Sequence, residues 1–201
     1  ESEQRRTADG APNSNAPSTF ISAAASAGLD GIITAANRSC TPRMFSDTVS
    51  EIKRSGMRNI GTCGDSPEIF DVRGIRVAVI ACTMITNGGA EADETNSGGI
   101  YSREYFTEQV ARAREMGAEF VAAYMHWGVL NSSQVRGAQA EEAQFIADSG
   151  ADMIFGSHSH MVQRFVNITA QDGRTVPCAY SLGNLVSAMS EMDGNRDGII
   201  L

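Results

Sequence analysis

Short apolar runs alternate with amphipathic helical segments along most of this 201-residue chain. Runs of this length, rich in β-branched residues, predict buried strands. Strands that alternate with helices favour a parallel sheet, and two consecutive strands near the end of the chain add an antiparallel part. We therefore predict an α/β fold in which helices flank a mixed sheet. The predicted strands cover residues 30–36, 68–72, 75–82, 118–128, 151–155, 162–168 and 175–182, and the predicted helices cover residues 18–27, 44–55, 104–116 and 134–149.

The remaining segments set the limits of this fold. Residues 1–16 are polar and predict a loosely ordered lead-in, so residues 17–201 are expected to form one domain. Residues 86–99 are rich in glycine and polar side chains and predict a long loop. No apolar stretch is long enough to span a bilayer, and the polar start lacks the order of a signal peptide. A chain from which a targeting segment has been removed would read the same way.

Acidic residues outnumber basic ones, 24 to 16, and no basic stripe occurs in the sequence. Nucleic acids are bound mainly through lysine and arginine contacts to phosphate, so a general nucleic-acid role is not expected. Small molecules are the expected partners.

Four cysteines occur without the C-x-x-C spacing of zinc ribbons or thioredoxin-like sites. Cys82 and Cys178 lie in strand-like runs and are expected to be buried thiols. Cys40 and Cys63 flank a predicted helix and leave two states open, a disulfide in an exported protein or reduced thiols in a cytosolic one.

All three histidines of the chain lie near or just after the carboxyl end of a predicted strand. Ligands of open α/β sheets bind at the carboxyl ends of strands, so His126, His158 and His160 are expected to converge there. A His-x-His segment, in an extended stretch or a tight loop, directs two imidazoles to one side. Gly156 allows close backbone approach beside it. The pattern favours a metal site over three separate histidines that are merely hydrogen-bonded.

Three motifs in order identify a family resemblance. "MHWG" (125–128), "SGADMIFGSHSHMVQ" (149–163) and "AYSLGNLV" (179–186) resemble the capsule-synthesis CapA proteins, also called poly-γ-glutamate biosynthesis proteins. That family is related to the calcineurin-like metallophosphoesterases. The resemblance covers the chain from about Ala27 onward. It implies a layered sandwich with a mixed sheet and a site for divalent metal, such as Mn, Zn or Fe.

The segment "AGLDGIITAANR" (27–38) resembles the part of the family that ends in Ala-Asn-Asn-His. This resemblance implies that Asn37 binds metal, and it gives Arg38 the place of a histidine that is a candidate general acid. A guanidinium stays protonated, so Arg38 cannot cycle a proton to a leaving group, although it can clamp an anionic substrate oxygen. A solvated surface cation is the alternative role for this residue.

The same resemblance implies roles for the strand-end residues. Asn37, His126 and His158 would form one metal position and His160 would belong to another, with His126 also a catalytic residue. The remaining residues would contribute to a substrate site, namely Trp127, Tyr180 and Asn184. For Trp127 the alternative is a buried aromatic side chain beside a strand end.

Two departures from the family pattern weaken the expected site. The related phosphoesterases begin with Asp-x-His and Gly-Asp segments, but this chain contains no Asp-x-His and its Gly64-Asp65 follows Asn37. Leu130 takes the place of a frequent glutamate. Without a bridging carboxylate a two-metal clamp cannot be completed. Either the missing segments lie upstream of Glu1, or the protein holds at most one weakly bound metal.

Three functions follow from these residues. The first is a metal-dependent hydrolase of phosphoester or amide bonds. The second is an envelope accessory that binds an anionic polymer such as poly-γ-glutamate and works with other capsule-synthesis or export proteins. The third is a structural zinc site, which is disfavoured because no cysteine lies near the histidines in sequence. The resemblance also implies a location on the extracytoplasmic face of a bacterial membrane.

Overall fold

The computed structural model describes residues 18–37, 42–61, 66–85, 99–185 and 194–201. Within these ranges the chain forms four helices and eight strands. The helices are α1 (Ser18–Ser26), α2 (Pro42–Arg54), α3 (Arg103–Glu115) and α4 (Gly137–Asp148). The strands are β1 (Gly31–Ile33), β2 (Arg58–Ile60), β3 (Glu68–Val72), β4 (Ile75–Thr83), β5 (Phe120–His126), β6 (Met153–Ser157), β7 (Phe165–Thr169) and β8 (Thr175–Ala179).

Six of the strands form one mixed sheet in the order β3-β4-β5-β6-β8-β7. Strands β4, β5, β6 and β8 are parallel, whereas β3 and β7 pair antiparallel at the two edges. The β3–β4 hairpin turns at Arg73 and Gly74, which both have positive φ and suit the tight connection. The predicted α/β fold with a mixed sheet is confirmed.

The two faces of this sheet are covered differently. Alternate residues of β4 point to opposite faces, as expected for a strand. Ala78, Ile80 and Cys82 belong to the large core, which contains Phe106 of α3 and Ile146 of α4. Burial of these apolar side chains between sheet and helices is the main source of stability on this face.

A second, smaller layer lies on the other face of the sheet. Strands β1 and β2 pair in parallel, and Ile60 packs with Ala35 and with Ala81 of the large sheet. Phe70 and Tyr124 extend this second core. The arrangement is a layered sandwich, as the resemblance implies, although β2 was not predicted.

Two residues define the ends of α3, and the predicted burial of two cysteines is confirmed. Ser102 caps α3 by accepting a hydrogen bond from the backbone N–H of Tyr105, and Gly117 follows the helix with a φ of 87°. Cys82 and Cys178 are buried thiols, as predicted. Of the loop expected at 86–99, residues 86–98 lie outside the described residues, as do Cys40 and Cys63. None of the helices in the described ranges is long and apolar enough to cross a membrane.

The register of the parallel strands fixes where the site forms. His126 on β5 pairs with Thr83 on β4 and with Ser157 on β6. The carboxyl ends of the three strands therefore meet at one edge of the sheet. Polar residues that follow these strands are brought together there.

Candidate metal centre

His126 stands at the last position of β5 and is oriented by the neighbouring strand. Its Nδ1 atom lies 3.1 Å from the hydroxyl of Ser157, its register partner on β6. A hydrogen bond at Nδ1 fixes the plane of the ring and directs Nε2 away from the sheet. Ser157 is a residue that sequence reasoning did not single out, because its role depends on the strand pairing.

Two further side chains meet His126 at Nε2. The Oδ1 atom of Asn37 and the Nδ1 atom of His158 each lie 3.1 Å from it. The two imidazole rings are in an edge contact, with centroids 4.7 Å apart. The structure therefore brings together three of the four predicted metal ligands. We call this group the Asn37–His126–His158 cluster.

The two contacts of His126 Nε2 cannot each have a hydrogen bond of their own. An amide oxygen only accepts, and each neutral imidazole carries one proton shared between two nitrogens. If Nε2 of His126 carries a proton and donates to Asn37, it has no lone pair to accept from His158. If His158 donates to Nε2 instead, the contact to the Asn37 oxygen has no proton. A divalent cation would instead accept lone pairs from all three atoms, so the donor set fits a metal.

The spacing of the donor atoms fits the same interpretation. Two atoms each about 2.1 Å from a shared metal ion lie about 3.0 to 3.4 Å apart at usual coordination angles. Both observed contacts of His126 are 3.1 Å. Within the described ranges no three His, Cys, Asp or Glu side chains are arranged to hold a metal. The cluster has two imidazoles, and its third donor is an amide.

The electrostatics keep the two rings neutral. Burial, followed by the charges of His158 and His160, lowers the pKa of His126 to about 4. Burial and then the charge of His160 also lower the pKa of His158. Neutral imidazole is the form that ligates metal, so both rings have lone pairs available near neutral pH.

The His-x-His segment forms a tight loop and not an extended strand. His158 and His160 have φ values of 91° and 56°, in the region that non-glycine residues rarely adopt. Between them Ser159 is fully buried, and its hydroxyl donates to the carbonyl oxygen of Met161 (2.8 Å) and bonds to the hydroxyl of Ser181 (3.0 Å). This buried anchor holds the loop in its strained conformation.

The loop separates the two histidine rings. His158 points to His126, whereas Nδ1 of His160 lies 2.8 Å from Oδ1 of Asn184. His160 remains close enough for its charge to lower the pKa of both other histidines. Its assignment to a second metal position, and the substrate role of Asn184, stay predictions.

Two residues predicted to contact substrate lie inside the fold. Trp127 has no exposed surface, and its indole N–H donates to the backbone oxygen of Tyr180 at 2.9 Å. The Tyr180 ring stacks on Trp127 and is 3% exposed. These contacts favour the structural alternative for Trp127, and Tyr180 packs against it. Arg38, the predicted anion clamp, and Gly64-Asp65 lie outside the described residues.

Gly156 makes this packing possible. A Cβ atom at this position would lie 1.9 Å from the carbonyl oxygen of Tyr180 and 2.5 Å from the indole nitrogen of Trp127. Only glycine leaves room for β6 to approach so closely. The expectation of close backbone approach at Gly156 is confirmed.

The sheet order, the helices and the second layer define a metallophosphoesterase-like fold. Among solved structures, the chain is similar to the sulfate thiohydrolase SoxB of Thermus thermophilus, with a TM-score of 0.52 and 14% identity. The match covers 82% of this chain and 30% of that chain. A likeness at this identity concerns the fold alone.

Residues 2–189 match the bacterial capsule synthesis protein family PGA_cap, and the chain belongs to this family. One relative is the capsule biosynthesis protein CapA of Bacillus anthracis, 27% identical over 149 residues. Another is the PGA biosynthesis protein CapA of Bacillus subtilis strain 168, 28% identical over 147 residues. Each match covers 70% of this chain but 35% and 37% of the respective relative, so the chain spans little more than a third of their length.

Proposed function

We propose that this capsule-synthesis family protein binds one divalent metal ion through Asn37, His126 and His158 and hydrolyses a phosphoester with it. The observation that carries the proposal is the position of His126 Nε2, 3.1 Å from both other donor atoms. Lone pairs that converge without enough protons to pair them favour a cation.

Each residue of the cluster has a separate task in this proposal. Ser157 holds the ring of His126 by its contact to Nδ1, so Nε2 stays directed at the metal position. The lowered pKa values of His126 and His158 keep both rings unprotonated. A divalent metal bound here would polarise a phosphoryl oxygen and make water a better nucleophile.

The metal should be held weakly. The cluster supplies two imidazoles and one amide, all neutral, and includes no carboxylate within the described part of the chain. Neutral donors attract a divalent cation less strongly than carboxylates do. We expect one ion per chain, with Mn, Zn and Fe as the metals to test.

Elemental analysis and turnover together test this proposal. The protein is loaded with Mn²⁺, Zn²⁺ or Fe²⁺, desalted, and analysed for metal, and hydrolysis of a nitrophenyl phosphomonoester and a nitrophenyl phosphodiester is measured. We expect one ion per chain and turnover that needs the metal. His158→Ala should abolish both.

Thr107→Ala is the matched control for this experiment. Thr107 lies on α3, and its hydroxyl donates within the helix to the carbonyl oxygen of Arg103. This variant should keep wild-type metal content and turnover. Two tightly bound ions per chain, or turnover that survives His158→Ala, would contradict the proposal.

The lack of a carboxylate in the cluster favours a second candidate function. In this alternative the site is not catalytic and the protein binds an anionic polymer such as poly-γ-glutamate, with Arg38 as the local cation. The net charge of −8 means that binding would be local and salt-sensitive. No turnover with any metal, and polymer binding that is lost in Arg38→Ala, would favour this function over hydrolysis.

Family membership also supports a location and a set of partners for the protein. We propose that it acts on the extracytoplasmic face of a bacterial membrane, together with other capsule-synthesis or export proteins. Fractionation of cells that express the complete gene product, followed by protease accessibility, tests the location.

A further inference from the structure

We propose that Asn184 is a positioning residue for His160, and that it fixes the neutral imidazole with its proton on Nδ1 and its lone pair on Nε2. We further propose that the buried Asn195 holds Asn184 in place. The inference deepens the proposed function and rests on it for its purpose, because it sets which nitrogen of His160 has a lone pair, two residues from His158 of the proposed metal site.

The orientation of the Asn184 amide is determined by two contacts at opposite ends. Its side-chain N–H donates to the backbone carbonyl oxygen of Asn195 at 2.8 Å. A carbonyl oxygen only accepts, so the amide nitrogen must be on that side and the amide oxygen on the other. That oxygen lies 2.8 Å from Nδ1 of His160.

The state of His160 follows from this orientation. The Asn184 oxygen only accepts, so Nδ1 of His160 must carry the proton that it donates. A neutral imidazole has one proton, which leaves the lone pair on Nε2. A free histidine side chain in water prefers the opposite tautomer, so the contact to Asn184 selects the minor form.

Asn184 is itself held by the turn that contains Asn195. The backbone N–H of Asn184 donates to the carbonyl oxygen of Asp197 at 3.0 Å, and Asp197 N–H donates to Gly194 at 3.1 Å. Gly198 permits this approach, because a Cβ there would lie 2.2 Å from the backbone oxygen of Asn184. The two segments are therefore in close contact.

The side chain of Asn195 anchors this turn in the protein. Asn195 is fully buried, and its amide N–H donates to the side-chain oxygen of Asn131 at 3.3 Å. Asn131 in turn donates its backbone N–H to the carbonyl oxygen of Ser159 at 2.7 Å, inside the His-x-His loop. A closed ring of contacts thus joins the loop of His160 to the residue that orients its imidazole.

NMR of the protein without metal tests this inference directly. Long-range ¹H–¹⁵N spectra of histidine-labelled protein report the tautomer of each ring, recorded well above the ordinary imidazole pKa of about 6.5. Three histidines give three ring systems, which single substitutions assign. We expect the wild-type His160 to carry its proton on Nδ1, and this tautomer is read from the wild-type spectrum once the rings are assigned.

Four variants separate positioning from a general loss of structure. Asn184→Ala should reverse the His160 tautomer to the Nε2–H form, whereas Asn184→Asp keeps an acceptor and should retain the Nδ1–H form. Asn195→Ala should give a mixture of the two tautomers. Asn59→Ala is the control and should leave the His160 tautomer unchanged. Asn59 is also a buried amide, but it lies on β2 of the small sheet, where its oxygen accepts a hydrogen bond from Thr34.

The outcomes distinguish this inference from the proposed function. A wild-type His160 with its proton on Nε2, or an unchanged tautomer in Asn184→Ala, overturns the role of Asn184. An unchanged tautomer in Asn195→Ala overturns the supporting role of Asn195 alone. Equilibrium dialysis of the same wild-type sample with Mn²⁺, Zn²⁺ and Fe²⁺ in turn tests metal binding separately. Absence of binding for all three ions would remove the proposed function while the tautomer result stands.

Discussion

The side-chain oxygen of Asn37 lies 3.1 Å from Nε2 of His126, although 89 residues separate the two in the chain. Asn37 follows β1 in the small sheet, and His126 ends β5 in the large one. The contact therefore joins the two layers of the sandwich at the strand-end edge. Its chemistry leads to the first two predictions.

A divalent metal should stabilise the folded protein through Asn37. Binding to the folded state alone adds about 2.7 kcal/mol to the unfolding free energy when the free ion is at about 100 times its Kd. Urea unfolding with and without Mn²⁺ measures this increment. Asn37→Ala should remove most of it, while Asn167→Ala, an exposed position on the edge strand β7, should not. Equal increments in the two variants would contradict a ligand role for Asn37.

Acidification should destabilise the protein through His126. Burial, followed by the charges of His158 and His160, lowers the pKa of His126 to about 4 in the folded state. An unfolded histidine has a pKa of about 6.5. The unfolded state takes up the proton first, so this stability is complete above about pH 6.5 and is lost as the pH falls toward about 4. The urea midpoint should therefore depend less steeply on pH in His126→Gln, and parallel curves would refute the lowered pKa.

Gly156→Ala should disrupt the packing beneath the cluster. The added methyl group would lie 1.9 Å from the carbonyl oxygen of Tyr180, so backbone must move, at a cost of about 3 kcal/mol or more. Gly137→Ala is the matched control, since a Cβ at that position in α4 meets nothing within 4 Å and should be neutral or slightly stabilising. Thermal unfolding of the two variants gives the comparison. Similar melting temperatures would contradict the close contact between Gly156 and the backbone of Tyr180.

Trp127→Phe tests whether the indole has a structural role. The variant keeps an aromatic ring against Tyr180 but loses the N–H that donates to its backbone oxygen. A buried carbonyl left without its donor costs about 1–3 kcal/mol. We expect that loss in urea unfolding, with an unchanged KM for any phosphoester that the wild type hydrolyses. A raised KM at full stability would instead assign Trp127 to the substrate site.

The sequence was most informative where periodicity and spacing agree. The apolar run that ends in His126 and the run before His158 both form strands of the central sheet, and their parallel pairing brings the two histidines together. The ordered motifs identified the family correctly. Local patterns suffice here because each strand presents its last residues at the same edge.

Other features depend on tertiary contacts that leave no local pattern. Strand β2 has only three residues, Arg58–Ile60, and forms because it pairs with β1 and packs on the large sheet. The separate direction of the His160 ring depends on Asn184 and on a turn near the end of the chain. Asn195 belongs to no recognised sequence motif, and its contact with Asn131 is seen only in the folded structure.

The left-handed backbone at His158 and His160 lowers the stability of the folded state, so contacts elsewhere in the fold must offset it. Each such residue lowers the unfolding free energy by about 1–3 kcal/mol relative to the same residue in a relaxed conformation. Glycine would suit both positions better, yet it would remove the imidazoles. The loop thus holds two imidazoles in place at the expense of folding stability, and a chain with glycine at both positions would be more stable without them.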